Sequence, residues 1–250
     1  LPQSATKRFW EVDFLRGLAV VMMIIYHLLF NLVFFGEYQY DLFSGFWFYF
    51  QQVTASLFIF LAGVALTLSY ARTAPGITRN TYLRFFRRGL KVFFWGLVIT
   101  AVTWFFLGEG FVVFGILHFI GLAIILAYPF LKYPVLSLPV AIFCLLTGNY
   151  LGNLRFGFSW LLWLGFFPEQ FYTVDYFPLL PWFGVFLAGI FFGKRLYPGY
   201  RRAFCLPDFS GFPPVRVFAY LGRHSLVTYL LHQPLLLVLL AALGVIELFV

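Results

Sequence analysis

Polar and apolar positions fall into long blocks along this chain. Apolar runs lie near 12–35, 46–70, 86–107, 111–128, 134–151, 176–193 and 217–243. Each is close to the length of about 20 residues that carries an α-helix across a bilayer core. None shows the strict alternation of a barrel strand. A spanning segment must satisfy its backbone internally, so the runs are read as helices. The pattern predicts an all-α, polytopic transmembrane helix bundle of about seven spans, with residues 1–250 forming a single domain. Segment 152–175 is different. Its apolar core, Phe156 to Phe167, is about twelve residues long, short for a span. If it crossed, the basic loop 194–216 would move to the opposite side, so it is read as re-entrant or interfacial.

Composition fits this reading. Hydrophobic residues make up 62% of the chain and charged residues 10%, with a mean hydropathy of +0.91. A soluble domain of this size would need more polar surface. The net charge of +8 would suggest nucleic acid in a soluble protein, but in a membrane protein it reflects the bias of basic residues toward the cytoplasm. With the N-terminus cytoplasmic, Lys7, Arg8, Arg16, the cluster Arg72, Arg79, Arg84, Arg87, Arg88 and Lys91, and then Lys132, Lys194, Arg195, Arg201, Arg202, Arg216 and Arg223 all fall inside. Only Arg155 falls outside, with the acids Glu37, Asp41, Glu109, Glu169, Asp175 and Glu247. Trp10, Trp47, Tyr49 and Trp182 suit the interfacial aromatic belt. Cys144 and Cys205 are expected at different depths and unbonded. No cleavable signal pattern precedes the first run, which is expected to act as its own insertion signal. The expected location is the cell (plasma) membrane, as a multi-pass protein.

Ionisable groups inside spans are costly and need a reason. In span one, Asp13, Arg16, Val20, Met23, His27 and Asn31 follow a three-to-four residue rhythm on one stripe. Arg16 and His27 stand roughly 16 Å apart along the axis. Asp13 and Arg16 can pair at the inner end. His27 lies about 10 Å below the outer boundary, where Asn31 could orient its ring. Span four, entering near Phe111, carries His118 at a similar expected depth. Asp175 opens span six from the same side, where Pro178 and Pro181 suit an opened first turn. In span seven Ser225, Thr228 and His232 share a face. Pro234 cannot donate to the Leu230 carbonyl, so a kink beside His232 and Gln233 is expected. Span two offers Gln52, Ser56, Gly63 and Thr67 for close packing.

Each of these has a plainer reading. A membrane histidine can simply donate to a carbonyl across a helix interface. Asp13 and Arg16 read as structural, His224 as interfacial, and the Arg72–Lys91 cluster chiefly as a topology signal that could also hold a phosphorylated ligand. No Walker loop, zinc-protease helix or nucleophile elbow is present, and no metal cluster is expected.

Several motifs carry a likeness. Trp10-Glu-Val-Asp-Phe-Leu-Arg-Gly17 with Met22-Met-Ile-Ile-Tyr-His27 resembles the opening of the heparan-α-glucosaminide N-acetyltransferase-like membrane proteins. So do Phe58-Ile-Phe-Leu-Ala-Gly63, Phe114-Gly-Ile-Leu-His118, Asp175-Tyr-Phe-Pro-Leu-Leu-Pro-Trp182, and Leu221-Gly-Arg-His-Ser-Leu through His232-Gln-Pro234. The spacing of Arg16 and His27 is also similar to that of the wider transmembrane acyltransferases. The resemblance implies transfer of an acyl group from a cytoplasmic donor, acetyl-CoA in the lysosomal enzyme, to an extracytoplasmic sugar or glycan. It implies an intramembrane histidine in the chemistry, here His27, and admits a homodimer. A histidine can act there as a base or as an acyl-carrying nucleophile, and both stay open. The expected catalytic set is His27 with His118 and Asp175. Acyl-CoA is expected on Arg16, Arg84, Arg87, Arg88, His232 and Gln233. Two other readings compete: a transporter or flippase for a small anion or lipid-linked sugar, and a non-catalytic membrane scaffold.

Overall fold

A computed structural model describes residues 8–36, 38–72 and 79–246. Lys7, Glu37 and Glu247 lie outside the described residues, as does the side chain of Arg79. The described residues form helices α1 (Trp10–Phe34), α2 (Gly45–Ala71), α3 (Arg79–Leu107), α4 (Ile116–Leu126), α5 (Tyr128–Lys132), α6 (Ser137–Gly152), α7 (Leu179–Leu196), α8 (Pro213–Arg223) and α9 (Ser225–Ala242), with three short 3-10 turns. They contain no strand, only isolated bridges at Phe114–Tyr176 and Phe156–Pro168. Among the described residues six helices are long and apolar enough to cross a membrane: Trp10–Phe34, Gly45–Ala71, Thr81–Leu107, Pro134–Gly152, Leu179–Leu196 and Ser225–Ala242. Ile116–Leu126 is a shorter apolar helix. The all-α polytopic bundle therefore stands, with the fourth expected span replaced by this shorter element.

Contacts group the chain into two compact units, 1–61 with 206–250, and 62–205. In the first unit α1 packs on α8 and α9. The α1–α8 contact is backbone against backbone. A Cβ added to Gly17 would collide with the Phe218 carbonyl oxygen, and one added to Gly222 would collide with the Asp13 carbonyl oxygen. Small residues of this kind let membrane helices approach closely where apolar burial alone gives no driving force between them. The seventh expected span, 217–243, is two helices, not one. It breaks at His224, whose backbone (φ −103°, ψ 19°) leaves the helical region. α8 lies on the near side of that break with Val215, Ala219 and Gly222 buried. α9 stays helical past Pro234 to Ala242.

In the second unit α3 packs on α4, and α6 on α7. A Cβ on Gly121 would stand 2.6 Å from the Phe93 nitrogen, and one on Gly184 2.7 Å from the Ala141 oxygen. Gly63 of α2 faces the Phe186 carbonyl, and the Thr67 hydroxyl reaches the Ile190 oxygen at 3.4 Å. This is the close packing expected from the small-residue face of span two. Phe119, Phe186, Leu187 and Ile190 are fully buried between these helices. α3 turns Phe94, Trp104, Phe105 and Phe106 outward, a surface suited to lipid rather than water.

Segment 152–175 forms turns, with a 3-10 turn at Leu162–Leu164, and no spanning helix. The Phe156 N–H donates to Phe167 and the Glu169 N–H to Phe156, which folds it into a closed loop. α7 opens irregularly, as its prolines suggested. Pro178 is extended and Leu180 (φ −100°, ψ 126°) is non-helical. Cys144 is buried and Cys205 exposed, and both are free thiols.

The α1–α8 contact yields a test. Gly17→Ala and Gly222→Ala each force two backbones apart, an overpacking cost of about 1–3 kcal/mol. Thermal unfolding in detergent should show a clear drop in midpoint for both, and little change for Gly152→Ala, whose Cβ would meet open space. Unchanged midpoints for Gly17→Ala and Gly222→Ala would contradict the packing.

Candidate intramembrane site

The polar stripe of α1 begins with Asp13 and Arg16. Their nearest side-chain atoms are 3.8 Å apart. Arg16 Nη1 also donates to the Gly222 carbonyl at 3.3 Å, in the last turn of α8. A guanidinium is well placed there, because the last carbonyls of a helix lack internal donors and carry partial negative charge. Arg16 thus ties α1 to α8 at the point where the two backbones touch.

Three turns further along α1, His27 meets α9. Its Nδ1 lies 2.9 Å from the Met23 carbonyl oxygen. A carbonyl only accepts, so Nδ1 carries the proton and Nε2 holds a lone pair. The His232 ring stands edge-on to His27, with centroids 4.8 Å apart and planes at 81°. Its Nδ1 lies 2.6 Å from the Tyr229 oxygen, which fixes the same tautomer. Two neutral imidazoles therefore meet with their Nε2 lone pairs uncommitted to the helix backbone. One turn beyond His27, Asn31 is fully buried and accepts a 2.6 Å bond from Gln233 Nε2. The expectation that Asn31 orients the His27 ring gives way to this contact: Met23 holds the ring, and Asn31 holds Gln233.

The cluster is not closed on itself. Among the described residues Asn31 Nδ2, His232 Nε2 and Gln233 Oε1 are buried without a hydrogen-bond partner. His232 is only 8% exposed. Turning both amides over leaves the count unchanged, with one donor end and one acceptor end still open. Buried polar groups are almost always satisfied, and an unpaired one costs roughly 1–3 kcal/mol. Four polar side chains thus meet with three buried atoms left open. Sequence reasoning named His27, His232 and Gln233 separately. Their meeting depends on the register of α9 against α1, for which the one-dimensional signal is only the four-residue spacing of His27 and Asn31.

In the second unit His118 and Asp175 both lie at the start of α4. The helix begins at Ile116 because Phe111–Gly115 pairs with the chain before α7 instead: Val174 N–H donates to Gly110, and Phe177 N–H to Phe114. His118 is therefore the third residue of its helix, not about seven residues deep. The Gly115 N–H donates to His118 Nδ1 at 3.2 Å. The opposite nitrogen lies 3.3 Å from Thr100 Oγ1, which itself donates to the Val112 oxygen at 2.6 Å. The ring is 2% exposed and both nitrogens are engaged. Asp175 Oδ2 accepts the Ile116 N–H at 3.2 Å. Asp175 sits in the loop ahead of α7, where burial raises its carboxyl to about 6 and the Ile116 bond pulls it back. Together these contacts cap α4, an arrangement expected of structural groups more than of proton carriers.

Arg84, Arg87 and Arg88 are exposed. Arg84 lies over the Phe85 ring at 5.6 Å, and Arg88 Nη1 donates to Ser69 at 3.4 Å. Nearby in the same unit, Arg72 stacks on Tyr200 at 4.8 Å. Among the described residues no group of three or more His, Cys, Asp and Glu side chains is placed to hold a metal.

Comparison with known protein families matches residues 8–234 to the family described as heparan-alpha-glucosaminide N-acetyltransferase, catalytic. No curated protein matches the chain, and no solved structure does. The match runs from two residues before α1 to the proline beside the His27–His232 cluster, and so takes in both the fold and the site: the chain belongs to the heparan-α-glucosaminide N-acetyltransferase family.

Proposed function

We propose that this chain carries an acetyl group from acetyl-CoA on the cytoplasmic side to an amino or hydroxyl group of an extracytoplasmic sugar or glycan, with His27 as the reacting histidine. The observation that carries the reading is the pair of like-tautomer imidazoles beside an unsatisfied amide pair. The family supplies the reaction class.

In the direct form of the step, the acceptor's lone pair attacks the thioester carbonyl carbon and the C–S bond breaks. The acceptor's proton passes to His27 Nε2, and the departing thiolate takes a proton back. Met23 holds the ring in the tautomer that leaves Nε2 free for this role. His232, edge-on at 4.8 Å, offers a second lone pair for the same proton or for orienting the acceptor. The open amide donor of Asn31 or Gln233 suits the carbonyl oxygen, on which negative charge develops as the attack proceeds. In the relayed form His27 Nε2 attacks the thioester carbonyl carbon and the C–S bond breaks to release the thiolate; the acceptor then attacks the acetyl-imidazole, the N–C bond breaks, and the acceptor's proton passes by way of the freed Nε2 to the thiolate. The residues fit an acyl end of this kind: a donor, two bases and little competing solvent. Arg84, Arg87 and Arg88 are the proposed cationic partners of the CoA phosphates, with Arg16 at the inner end of the site helix. His118 and Asp175, first expected to assist the chemistry, enter as the groups that hold the start of α4. The chain is proposed to sit with its N-terminus in the cytoplasm of the cell membrane.

Two experiments test this. Purified protein should transfer acetyl from acetyl-CoA to an amino-sugar acceptor, and His27→Ala should lower the rate by about 10²–10⁴, the range for loss of a positioned general base. His232→Ala should retain more activity. Undiminished transfer by a folded His27→Ala protein would sink the assignment. For orientation, Cys205 is an exposed native thiol while Cys144 is buried. A membrane-impermeant maleimide should label Cys205 in inside-out vesicles and spare it in right-side-out ones. The reverse pattern would overturn the topology.

A further inference from the structure

The first unit carries a groove of about 840 Å³ at the start of α1, separate from the histidine cluster along that helix. Its walls are Arg8 and the start of α1, the chain around Ser210, and α8, which contributes Val215 and Ala219 from its buried side as well as outward residues. Three guanidiniums line it: Arg8, Arg216 and Arg223. Arg216 and Arg223 are seven residues apart on α8, nearly two full turns, so they share one face at about 10 Å separation. Tyr220 lies between them on the same stripe, while Val215, Ala219 and Gly222 take the buried side. The single carboxylate in the lining, Asp13, already faces Arg16.

A second observation points into the same place. Trp10 lines the groove, and its Nε1 is buried without a hydrogen-bond partner among the described residues. Phe209 packs edge-on against the indole at 6.0 Å and holds it there. The groove thus presents guanidinium forks and an aromatic wall in which the unpaired indole N–H is buried, within the size range of small-molecule sites. A monoanionic carboxylate would leave most of this charge uncompensated. Guanidinium forks at two positions about 10 Å apart suit a ligand with more than one anionic oxygen group.

We propose that this groove is a binding site for a phosphate-bearing ligand, held by Arg8, Arg216 and Arg223 with the Trp10 indole N–H. The proposal stands apart from the transfer reading, since it shares no residue with the His27 cluster. The phosphate can belong to a soluble bisphosphate or to the headgroup of an anionic phospholipid.

The test uses the full chain in phosphatidylcholine nanodiscs. In one arm adenosine 3′,5′-bisphosphate is titrated at low and high salt into protein carrying Arg84→Gln, Arg87→Gln and Arg88→Gln, so that the proposed partners of the CoA phosphates do not contribute. In the other, retention of phosphatidylglycerol is read by native mass spectrometry. Binding in the first arm identifies a soluble ligand, and retention only in the second identifies the headgroup. Arg216→Gln with Arg223→Gln should weaken whichever is bound by about tenfold or more per guanidinium lost. Arg216→Lys with Arg223→Lys should retain part of it, since charge persists and the fork does not. Arg8→Gln, outside α8, repeats the test on a separate segment, with thermal midpoints confirming that each variant is folded. His27→Ala should leave binding unchanged, which separates this site from the transfer reaction. Absence of binding in both arms, or binding that the glutamine variants leave intact, would overturn the proposal.

Discussion

Two helices touching through bare backbone set the geometry of the candidate site. At Gly17 and Gly222 no side chain separates α1 from α8, and Arg16 closes the contact by donating to the Gly222 carbonyl. Immediately beyond, the chain breaks at His224 and starts α9. The direction and register of α9 therefore follow from where α8 is fastened. That register brings His232 against His27 and Gln233 against Asn31. Between helices surrounded by lipid there is little hydrophobic gain to correct a misfit, so packing of small residues and a few polar contacts decide the arrangement.

The polar cluster on α1 and α9 then acquires its character from what the backbone takes. Each imidazole gives its Nδ1 proton to a carbonyl of its own helix, which costs little in geometry and leaves Nε2 as an acceptor. Asn31 and Gln233 satisfy each other by half. A buried network that is complete rigidifies a core, while one left partly open is expensive unless something else completes it. The contrast within the same chain is His118. There both nitrogens, the neighbouring Thr100 and Asp175 are all engaged in capping a helix. The buried histidines His118 and His232 thus differ in one property, a ring nitrogen left uncommitted.

Much of the fold was readable from hydropathy alone, because spanning helices must be long and apolar. The expected 12–35 and 46–70 correspond closely to Trp10–Phe34 and Gly45–Ala71. Span seven was misread as continuous, since apolar residues flank the short run Gly222-Arg-His-Ser225 on both sides, and the break at His224 falls inside that run. Span four was read too long, because the pairing of Phe111–Gly115 with the chain before α7 is a contact across more than sixty residues, and local pattern carries no trace of it. The site was legible residue by residue: polar side chains in a lipid-embedded stripe announce themselves by their cost. Their partners were not. Asn31 was paired in expectation with His27, its neighbour on the helix, whereas the tertiary contact gives it to Gln233.

The central claim is that the reacting acyl group meets the open side of the His27–His232 pair. An experimental structure with a thioether analogue of acetyl-CoA bound tests it most directly. The account predicts the analogue's acyl carbonyl carbon at near-attack distance, about 3–3.5 Å, from His27 Nε2, with its oxygen taking the open amide donor of Asn31 or Gln233. An acyl end seated away from both histidines, with those buried amide and imidazole atoms still unpaired, would contradict it.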